Sequence, residues 1–257
     1  MFNRLTKELA VCSLNTVRSI VDNKPDVINR LFLRKDRMLE FSYICSSLAK
    51  RKRPYKICED IELERICKTP HHQGIVAMIT EPCIQPLAGE DLLIWSKEGL
   101  TGIVLHDVGN DFNLGAIIRQ AAFFDVRFVI VSERDDAARL TTAAYRAAEG
   151  GMMFVTVRSV RRTESFLRDA AEALLVIGAD HRSRRRVRDV QFCIEEKTKE
   201  LGRRPGVALV LGNEECGLPP EVKNCCPVLL RVPGTGNVES LNISQAAALF
   251  CHEIFES

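Results

Sequence analysis

The chain has 257 residues, of which 46% are hydrophobic and 27% are charged, and its formal net charge is +2. These totals are typical of a globular protein of one or two domains, and they exclude fibrous, low-complexity and disordered chains. No apolar run approaches the roughly 18 residues of a membrane-spanning helix, and the opening residues MFNRLTKELAVCSLN do not resemble a signal peptide. We therefore expect a cytoplasmic protein with no membrane partner.

The ten cysteines show no metal-binding pattern. No CxxC pair occurs, and no combination of Cys and His has the spacing of a zinc site. We therefore predict no bound metal. Most of the thiols lie in apolar or helical contexts, where cysteine behaves as a small hydrophobic residue, and a reducing compartment is expected.

Positive charge is concentrated in the first third of the chain and in one later segment. Residues 1–85 contain fifteen Lys and Arg against ten Asp and Glu, whereas residues 86–257 contain twenty-one against twenty-four. One basic run is Lys50–Arg53 with Lys56, and a second has five arginines between residues 182 and 188. Each run could bind the phosphates of a polyanion or could be a solvated charged surface, and the sequence leaves both interpretations open.

Residues 1–84 are predicted to form a small α/β domain, because short helical and extended patterns alternate there. The predicted helices are 9–21, 37–51 and 61–66, and the predicted strands are 27–33, 54–58 and 75–79. A Pro- and Gly-bearing stretch without clear periodicity follows, so residues 85–98 are interpreted as a linker that runs into a short helix or turn.

Residues 99–257 are predicted to form an α/β domain with a mostly parallel sheet covered by helices. The predicted strands are 102–106, 127–131, 154–157, 174–178, 207–211 and 228–232, and the predicted helices are 115–124, 137–148, 163–173 and an Ala-rich helix after Ser244. In open sheets of this kind, ligands bind at the carboxyl ends of the strands.

Polar residues follow three of these strand ends and are candidates for a site. Asn113 and Arg119 lie in and after the first loop, Glu214 follows Gly212, and Ser240 and Asn242 precede the last helix. Asn113 and Ser240 could instead be helix N-caps. Arg119 lies on a largely apolar helix, so it could form a surface salt bridge or point into a cleft toward a carboxylate or phosphate.

Three common nucleotide and hydrolase motifs are missing from the sequence. It has no GxGxxG after a strand, no GxxxxGK[ST] loop and no GxSxG elbow. An ordinary dinucleotide fold, a P-loop enzyme and an α/β-hydrolase are therefore excluded.

Three segments resemble a known family: NDFNLGAIIRQAAFFDV (110–126), LVLGNEECGL (209–218) and RVPGTGNVESLNISQAAAL (231–249). Their order and spacing are similar to the three motifs of the SpoU/TrmH-type RNA 2′-O-methyltransferases of the SPOUT superfamily. The first 84 residues, with HHQGI at 71–75, resemble the L30e-like substrate-binding domain found in many members. The resemblance implies a deep trefoil knot over about residues 205–257, a homodimer formed through the SPOUT domain, and a structured tRNA or rRNA as partner.

The same resemblance implies a cofactor and a set of site residues. S-adenosyl-L-methionine (AdoMet) would bind in the knot, with contacts at Gly212, Val232 and Leu241 and with Leu211 and Leu230 nearby. The resemblance also assigns a catalytic set, in which Arg119 is essential and the other members are Asn113, Glu214, Ser240 and Asn242. Glu214 could cap the turn that follows it, but beside Arg119 we expect it to hold the guanidinium by a bidentate ion pair. An arginine is a poor base because its pKa exceeds about 12, so Arg119 could act as proton acceptor or as a clamp for the substrate phosphate.

Two other functions fit the sequence less well. One is a non-catalytic RNA-binding protein on a SPOUT fold, which the intact polar set disfavours. The other is a base methyltransferase of the superfamily, which the Asn and Arg of the first loop disfavour. Two positions depart from the family pattern, since Asp125 replaces a usual Gly and Gln120 replaces a usual Thr or Ser.

Overall fold

The computed structural model describes residues 2, 3, 7–134 and 137–256. The chain divides into two compact units. One combines Met1–Cys83 with Arg139–Met153, and the other combines Ile84–Ala138 with Phe154–Ser257. We name them the amino-terminal unit and the parallel-sheet unit and describe each by itself. Among the described residues, no helix has the length and apolar character needed to cross a membrane.

The amino-terminal unit is built on a five-stranded sheet. Its strands are β1 (Phe2–Asn3), β2 (Glu8–Cys12), β3 (Ile28–Leu33), β4 (Tyr55–Ile57) and β5 (Ile75–Thr80), in the order β1-β2-β5-β3-β4. Only the pair β3–β4 is parallel. The helices of residues 1–83 are α1 (Leu14–Asn23), α2 (Ser42–Lys50) and α3 (Asp60–Cys67).

The predicted helix over residues 9–21 is wrong in its first part. Residues 9–12 belong to β2, where all five residues are buried, and the helix begins only at Leu14. The change occurs at Ser13, whose φ of +85° is incompatible with either a strand or a helix. A continuous buried run fits the centre of a sheet, and the apolar spacing alone did not separate the two elements.

The parallel-sheet unit contains seven strands, and every pairing between them is parallel. They are β6 (Gln85–Pro86), β7 (Thr101–Leu105), β8 (Phe128–Ser132), β9 (Thr156–Val160), β10 (Leu174–Ala179), β11 (Gly206–Leu211) and β12 (Val228–Leu230). Their order in the sheet is β12-β10-β11-β7-β8-β9-β6. The predicted α/β fold with a mostly parallel sheet is confirmed.

Helices accompany this sheet. They are α4 (Gly89–Lys97), α5 (Asp111–Phe123), α7 (Thr163–Ala170), α8 (Val190–Leu201), α9 (Pro220–Lys223) and α10 (Ile243–Phe255). Helix α8 is not among the predicted helices, although Val190, Cys193 and Ile194 are buried with helical spacing.

The stretch 85–98 is not a linker, because it forms β6 and α4 of the parallel-sheet unit. Trp95 of α4 is fully buried, and its ring stacks on Phe128 with centroids 5.2 Å apart. The indole Nε1 also donates to the carbonyl of Val207 at 3.1 Å. Truncating a buried aromatic of this kind costs about 3–5 kcal/mol, so this stretch is an integral part of the core.

A further helix, α6 (Thr142–Ala148), belongs to the amino-terminal unit despite its place in the chain. The Thr142 hydroxyl donates to the Ala10 carbonyl at 2.7 Å, and the Thr16 hydroxyl donates to the Tyr145 carbonyl at 3.1 Å. The prediction that residues 99–257 form one domain did not place α6 in the amino-terminal unit, because a helical pattern does not specify which sheet the helix will cover.

Candidate active site

The candidate site lies where the parallel strands of the second unit end. Leu105 of β7 is in register with Leu211 of β11, and Ala179 of β10 is in register with Leu230 of β12. Because all these strands run in one direction, the loops that follow them emerge at the same edge of the sheet. The predicted convergence of the three motif loops therefore has a structural basis.

The loop after β7 is held in a fixed course. The His106 amide donates to the Leu211 carbonyl at 2.8 Å, and Asp107 then adopts a φ of +55°. Helix α5 is capped by Asn110, whose side-chain oxygen accepts from the amides of Phe112 and Asn113. The N-cap is thus Asn110, and the alternative that Asn113 merely caps the helix is wrong.

The loop after β11 is a tight turn that requires glycine at its first position. A Cβ on Gly212 would lie 2.3 Å from the carbonyl carbon of Gly217, which is backbone and cannot give way cheaply. Asn213 organises the rest of the turn, since its Oδ1 accepts from the amide of Glu215 at 2.9 Å. Its Nδ2 donates to the Asp107 carbonyl at 2.8 Å and so ties this loop to the loop after β7.

A chain of amide and carboxylate hydrogen bonds joins the three motif segments. Asn113 Nδ2 donates to Glu214 Oε1 at 2.9 Å, and Asn242 Nδ2 donates to Asn113 Oδ1 at 3.2 Å. Asn113 is 7% exposed, so both ends of its amide are satisfied in a mostly buried position. We call Glu214, Asn113 and Asn242 the amide network. It fixes the orientation of each of these side chains before any substrate arrives.

The last helix of the site is capped by Asn242. Its Oδ1 accepts from the amide and the hydroxyl of Ser244, at 2.9 and 2.7 Å. The alternative that Ser240 is the N-cap of α10 is therefore wrong. Ser240 lies in the exposed loop two residues earlier.

Arg119 does not form the expected ion pair with Glu214. The residue is exposed on α5, and among the described residues no carboxylate lies within ion-pair distance of its guanidinium. The Glu214 carboxylate binds the Asn113 amide instead. The expectation of an Arg119–Glu214 pair is wrong, because Arg119 lies on the solvent-facing side of α5.

The five predicted cofactor positions lie at the ends of β11 and β12 and in the loop before α10. Leu211 and Leu230 are buried, Gly212 and Val232 are half-buried, and Leu241 is exposed. The described residues contain no group of three or more His, Cys, Asp or Glu side chains placed to hold a metal ion.

The two positions that depart from the family pattern have distinct structural settings. Asp125 has a φ of +55°, in the left-handed region that glycine adopts freely and that Asp tolerates better than most residues. The side-chain oxygen of Gln120 is buried, and among the described residues no hydrogen bond reaches it.

The family models match both parts of the chain. Residues 101–252 match the SpoU rRNA Methylase family, and residues 14–84 match the domain described as RNA 2′-O ribose methyltransferase substrate binding. The first match covers more than half of the 257 residues. The chain therefore belongs to the SpoU rRNA methylase family.

Similar proteins and structures point the same way. The chain is 28% identical over 250 residues to a 23S rRNA (guanosine-2′-O-)-methyltransferase RlmB of Acinetobacter baylyi, covering 93% of this chain and 94% of that protein. It is 29% identical over 254 residues to an RlmB of Nitrosomonas europaea, covering 98% and 92%. The fold is similar to an AdoMet-bound rRNA methyltransferase of Sinorhizobium meliloti, with a TM-score of 0.72, 21% identity, and coverage of 97% and 87%.

Proposed function

We propose that this protein transfers a methyl group from AdoMet to a ribose 2′-hydroxyl of rRNA or another structured RNA, such as tRNA. Membership of the SpoU family supports the reaction class, and two relatives are named as 23S rRNA guanosine-2′-O-methyltransferases. Two solved structures with the same fold are AdoMet complexes. The observation that carries the proposal is the amide network, which joins all three motif segments at one edge of the sheet.

The residues at that edge fit AdoMet. Leu211 and Leu230 are buried at the ends of β11 and β12, so apolar surface for the adenine ring would come from the half-buried Val232 and from Leu241, which is 43% exposed in the loop before α10. The half-buried turn at Gly212 would add backbone groups. When bound, AdoMet supplies a methyl group on a sulfonium, which is electrophilic without metal assistance.

The side chains of the site would position the ribose. The amide network presents polar groups of fixed orientation, with Asn242 at the start of α10 and Ser240 in the accessible loop before it. Asn113 holds Glu214 and Asn242 at a set separation, so that the 2′-hydroxyl can be oriented by groups that do not rearrange. Arg119 would bind the adjacent phosphate in bidentate fashion and align the hydroxyl for in-line attack.

The exposure of Arg119 supports the proposal of a homodimer. Phe112 and Phe123 flank it at helical spacing on α5 and are 54% and 80% exposed, while Phe255 at the end of α10 is 62% exposed. Exposed aromatic side chains on the same helix as Arg119 and at the end of α10 are apolar surface that a second copy of this chain would cover. Covering it would move Arg119 from solvent into a site between subunits and could supply the missing partner of Gln120.

We also propose the trefoil knot over about residues 205–257. Strand β12 pairs with the far side of β10, and the chain beyond it is held by the loop after β10. Arg231 donates its amide to the Arg185 carbonyl at 3.0 Å, and its carbonyl accepts from the Val187 amide at 2.8 Å. The chain then continues into α10, which packs against α5 and α8. A knot would require the segment after β12 to pass beside the loop after β10 before it reaches α10, and these contacts support that path.

The amino-terminal unit is proposed to bind the RNA substrate as an L30e-like domain. The substrate-binding family model matches residues 14–84, which supports this proposal. Strand β4 lies at the edge of its sheet and exposes all three of its residues, Tyr55, Lys56 and Ile57. The exposed ring of Tyr55 suits stacking on a splayed RNA base. An rRNA substrate agrees with the cytoplasmic location expected from the sequence.

A direct assay tests this function. The protein is incubated with rRNA transcribed in vitro and with AdoMet carrying an isotopic methyl label, and the digested nucleosides are identified by mass spectrometry. We expect a 2′-O-methyl nucleoside. A labelled base would indicate a base methyltransferase, and the absence of AdoMet binding at millimolar concentration in calorimetry would leave only the non-catalytic RNA-binding alternative.

A further inference from the structure

The arginine segment, which we define as residues 182–188, lies at the same edge of the sheet as the candidate site. It follows β10, which stands between β12 and β11. Its backbone is bonded to Arg231 in both directions, and the imidazole of the preceding His181 lies 3.4 Å from the carboxylate of Glu239. The segment therefore borders the loop that carries the candidate site residues Val232, Ser240 and Leu241.

The charges of this segment are not neutralised by the protein. All five of its arginines are exposed, and among the described residues none of them forms an ion pair. These arginines are Arg182, Arg184, Arg185, Arg186 and Arg188. The acidic residues that flank the segment have partners other than its guanidinium groups, since Asp180 pairs with Lys223 at 2.8 Å and Asp189 accepts from the backbone amide of Arg186 at 2.8 Å.

The titration of Asp180 reflects the same arrangement. Burial raises the pKa of this carboxyl, but the hydrogen bonds from Lys223 and from the Arg182 amide outweigh burial and hold the pKa below its ordinary value. Asp180 is thus a stable carboxylate whose charge is already matched by Lys223, so it leaves the neighbouring guanidinium groups unmatched.

The backbone of the arginine segment is anchored. The Ser183 hydroxyl donates to the Leu229 carbonyl at 2.6 Å and accepts from the Arg185 amide at 3.2 Å. The two bonds to Arg231 add to these. A solvated, mobile charge run would not be fixed in this way. An anchored backbone whose guanidinium groups have no carboxylate partner among the described residues is organised for an external anion, because less conformational freedom is lost on binding.

The basic run of the amino-terminal unit has a different character. Arg51 pairs with Asp26, Arg53 donates to the Asp26 carbonyl at 2.7 Å, and Lys56 pairs with Glu62 at 2.6 Å. These cations stabilise the unit itself. By contrast, the arginine segment belongs to a part of the chain, residues 86–257, that has more acidic than basic residues, so its local charge is not a consequence of overall composition.

We propose that the arginine segment binds successive phosphates of the RNA whose ribose is modified. Guanidinium groups match phosphate oxygens in bidentate geometry, and a row of unpaired arginines beside the methyl-transfer site fits a polyphosphate backbone that continues from the target nucleotide. The inference rests on the proposed function, because the segment and the site would hold one RNA molecule.

The test compares salt dependence of RNA binding. The triple variant Arg184→Gln, Arg186→Gln, Arg188→Gln leaves Arg185 in place, because its guanidinium contacts the Cys193 sulfur at 3.0 Å. Binding of fluorescent rRNA fragments is measured by anisotropy from low to high KCl. Each lost phosphate contact lowers the slope of log K against log salt by about 0.7–0.9. We expect the slope to fall by about 2, affinity at low salt to fall at least about tenfold, and AdoMet affinity to stay unchanged.

A matched control carries the same charge change elsewhere on the unit. The variant Arg161→Gln, Arg162→Gln, Arg168→Gln alters three exposed arginines after β9, which lies four strands from β10 in the sheet. Its slope should change by less than about 1. An unchanged slope in the first variant, or an equal loss in both, would overturn the inference. If wild-type protein transfers no methyl group but the two slopes still differ, the proposed reaction fails while the phosphate contact stands.

Discussion

Two sets of polar side chains at the carboxyl edge of the parallel sheet are held in opposite ways. The amide network of Glu214, Asn113 and Asn242 is satisfied by bonds within the set and to α10. Arg119 and the arginine segment are exposed and, among the described residues, unpaired with any carboxylate. The first set is fixed by its own hydrogen bonds, whereas the second keeps its charge available to an external anion. This difference predicts that the first set affects stability and catalysis together and that the second affects function alone.

The largest effect is expected for Arg119→Ala. Turnover should fall at least about a thousandfold, as for the loss of a group that acts at the transition state, while AdoMet affinity stays within a few fold. The free energy of unfolding should change by less than about 0.5 kcal/mol, because the side chain is exposed and unpaired. Single-turnover methylation, calorimetry and denaturant unfolding measure the three quantities.

The control for this variant is Arg127→Ala, which removes another exposed arginine of the same unit. It should retain wild-type turnover. Substantial methylation by the Arg119 variant would remove Arg119 from the catalytic set, and a large loss of stability would show that the residue is structurally engaged.

The next effect is expected for Asn113→Ala, which divides the amide network. Glu214 and Asn242 each lose a hydrogen-bond partner, so the free energy of unfolding should fall by about 1–3 kcal/mol. Turnover should fall about a hundredfold because the remaining groups lose their set positions. Asn110→Ala is the control, since it removes only the cap of α5 at a cost of about 1 kcal/mol. Equal turnover in the two variants would contradict a positioning role for Asn113.

A smaller effect, on the cofactor, is expected for Gly212→Ala. The new Cβ would meet the Gly217 backbone at 2.3 Å, so the turn after β11 must open, and AdoMet affinity should fall at least about tenfold with a loss of about 1–3 kcal/mol of stability. Gly234→Ala is a matched control in the loop after β12, where a Cβ meets nothing within 4 Å. If calorimetry gives the same affinity for both variants, the turn at Gly212 does not contribute to the cofactor site.

Much of this site could be predicted from the sequence, because its main signals are local. Apolar runs that stop at glycine and polar residues identified the ends of β7, β11 and β12. The motif spacing selected Asn113, Glu214 and Asn242, which the fold brings within hydrogen-bond distance. Their roles in catalysis remain predictions. The sequence did not reveal Asn213, although an Asn after a strand-ending glycine is a signal for the side-chain-to-backbone turn that it forms.

The errors arose where a residue's neighbours come from distant parts of the chain. Apolar surroundings on α5 suggested that Arg119 points into a cleft, but helix periodicity does not specify which side faces solvent. The burial of Trp95 was not predicted, because Pro82, Pro86 and Gly89 earlier in the same stretch favoured a linker. The location of α6 in the amino-terminal unit depends on bonds to Ala10 and Thr16, which no local pattern encodes.

The smallest effect is expected for Lys223→Gln, which tests whether Asp180 is kept from the arginine segment. The variant leaves a mostly buried carboxylate without its cation, so the free energy of unfolding should fall by about 1 kcal/mol at pH 7. The folded-state pKa of Asp180 is lowered, so this stability is present above the unfolded pKa of about 4 and is lost as pH falls through the folded value. Wild-type and variant unfolding curves should therefore converge in acid.

The carboxylate of Asp180, freed in the Lys223→Gln variant, should also pair with Arg182 and reduce the salt slope of RNA binding by up to about 0.7. Lys197→Gln breaks a pair with the exposed Glu200 and should do neither, so equal behaviour of the two variants would show that Lys223 has no special role in keeping the arginines free.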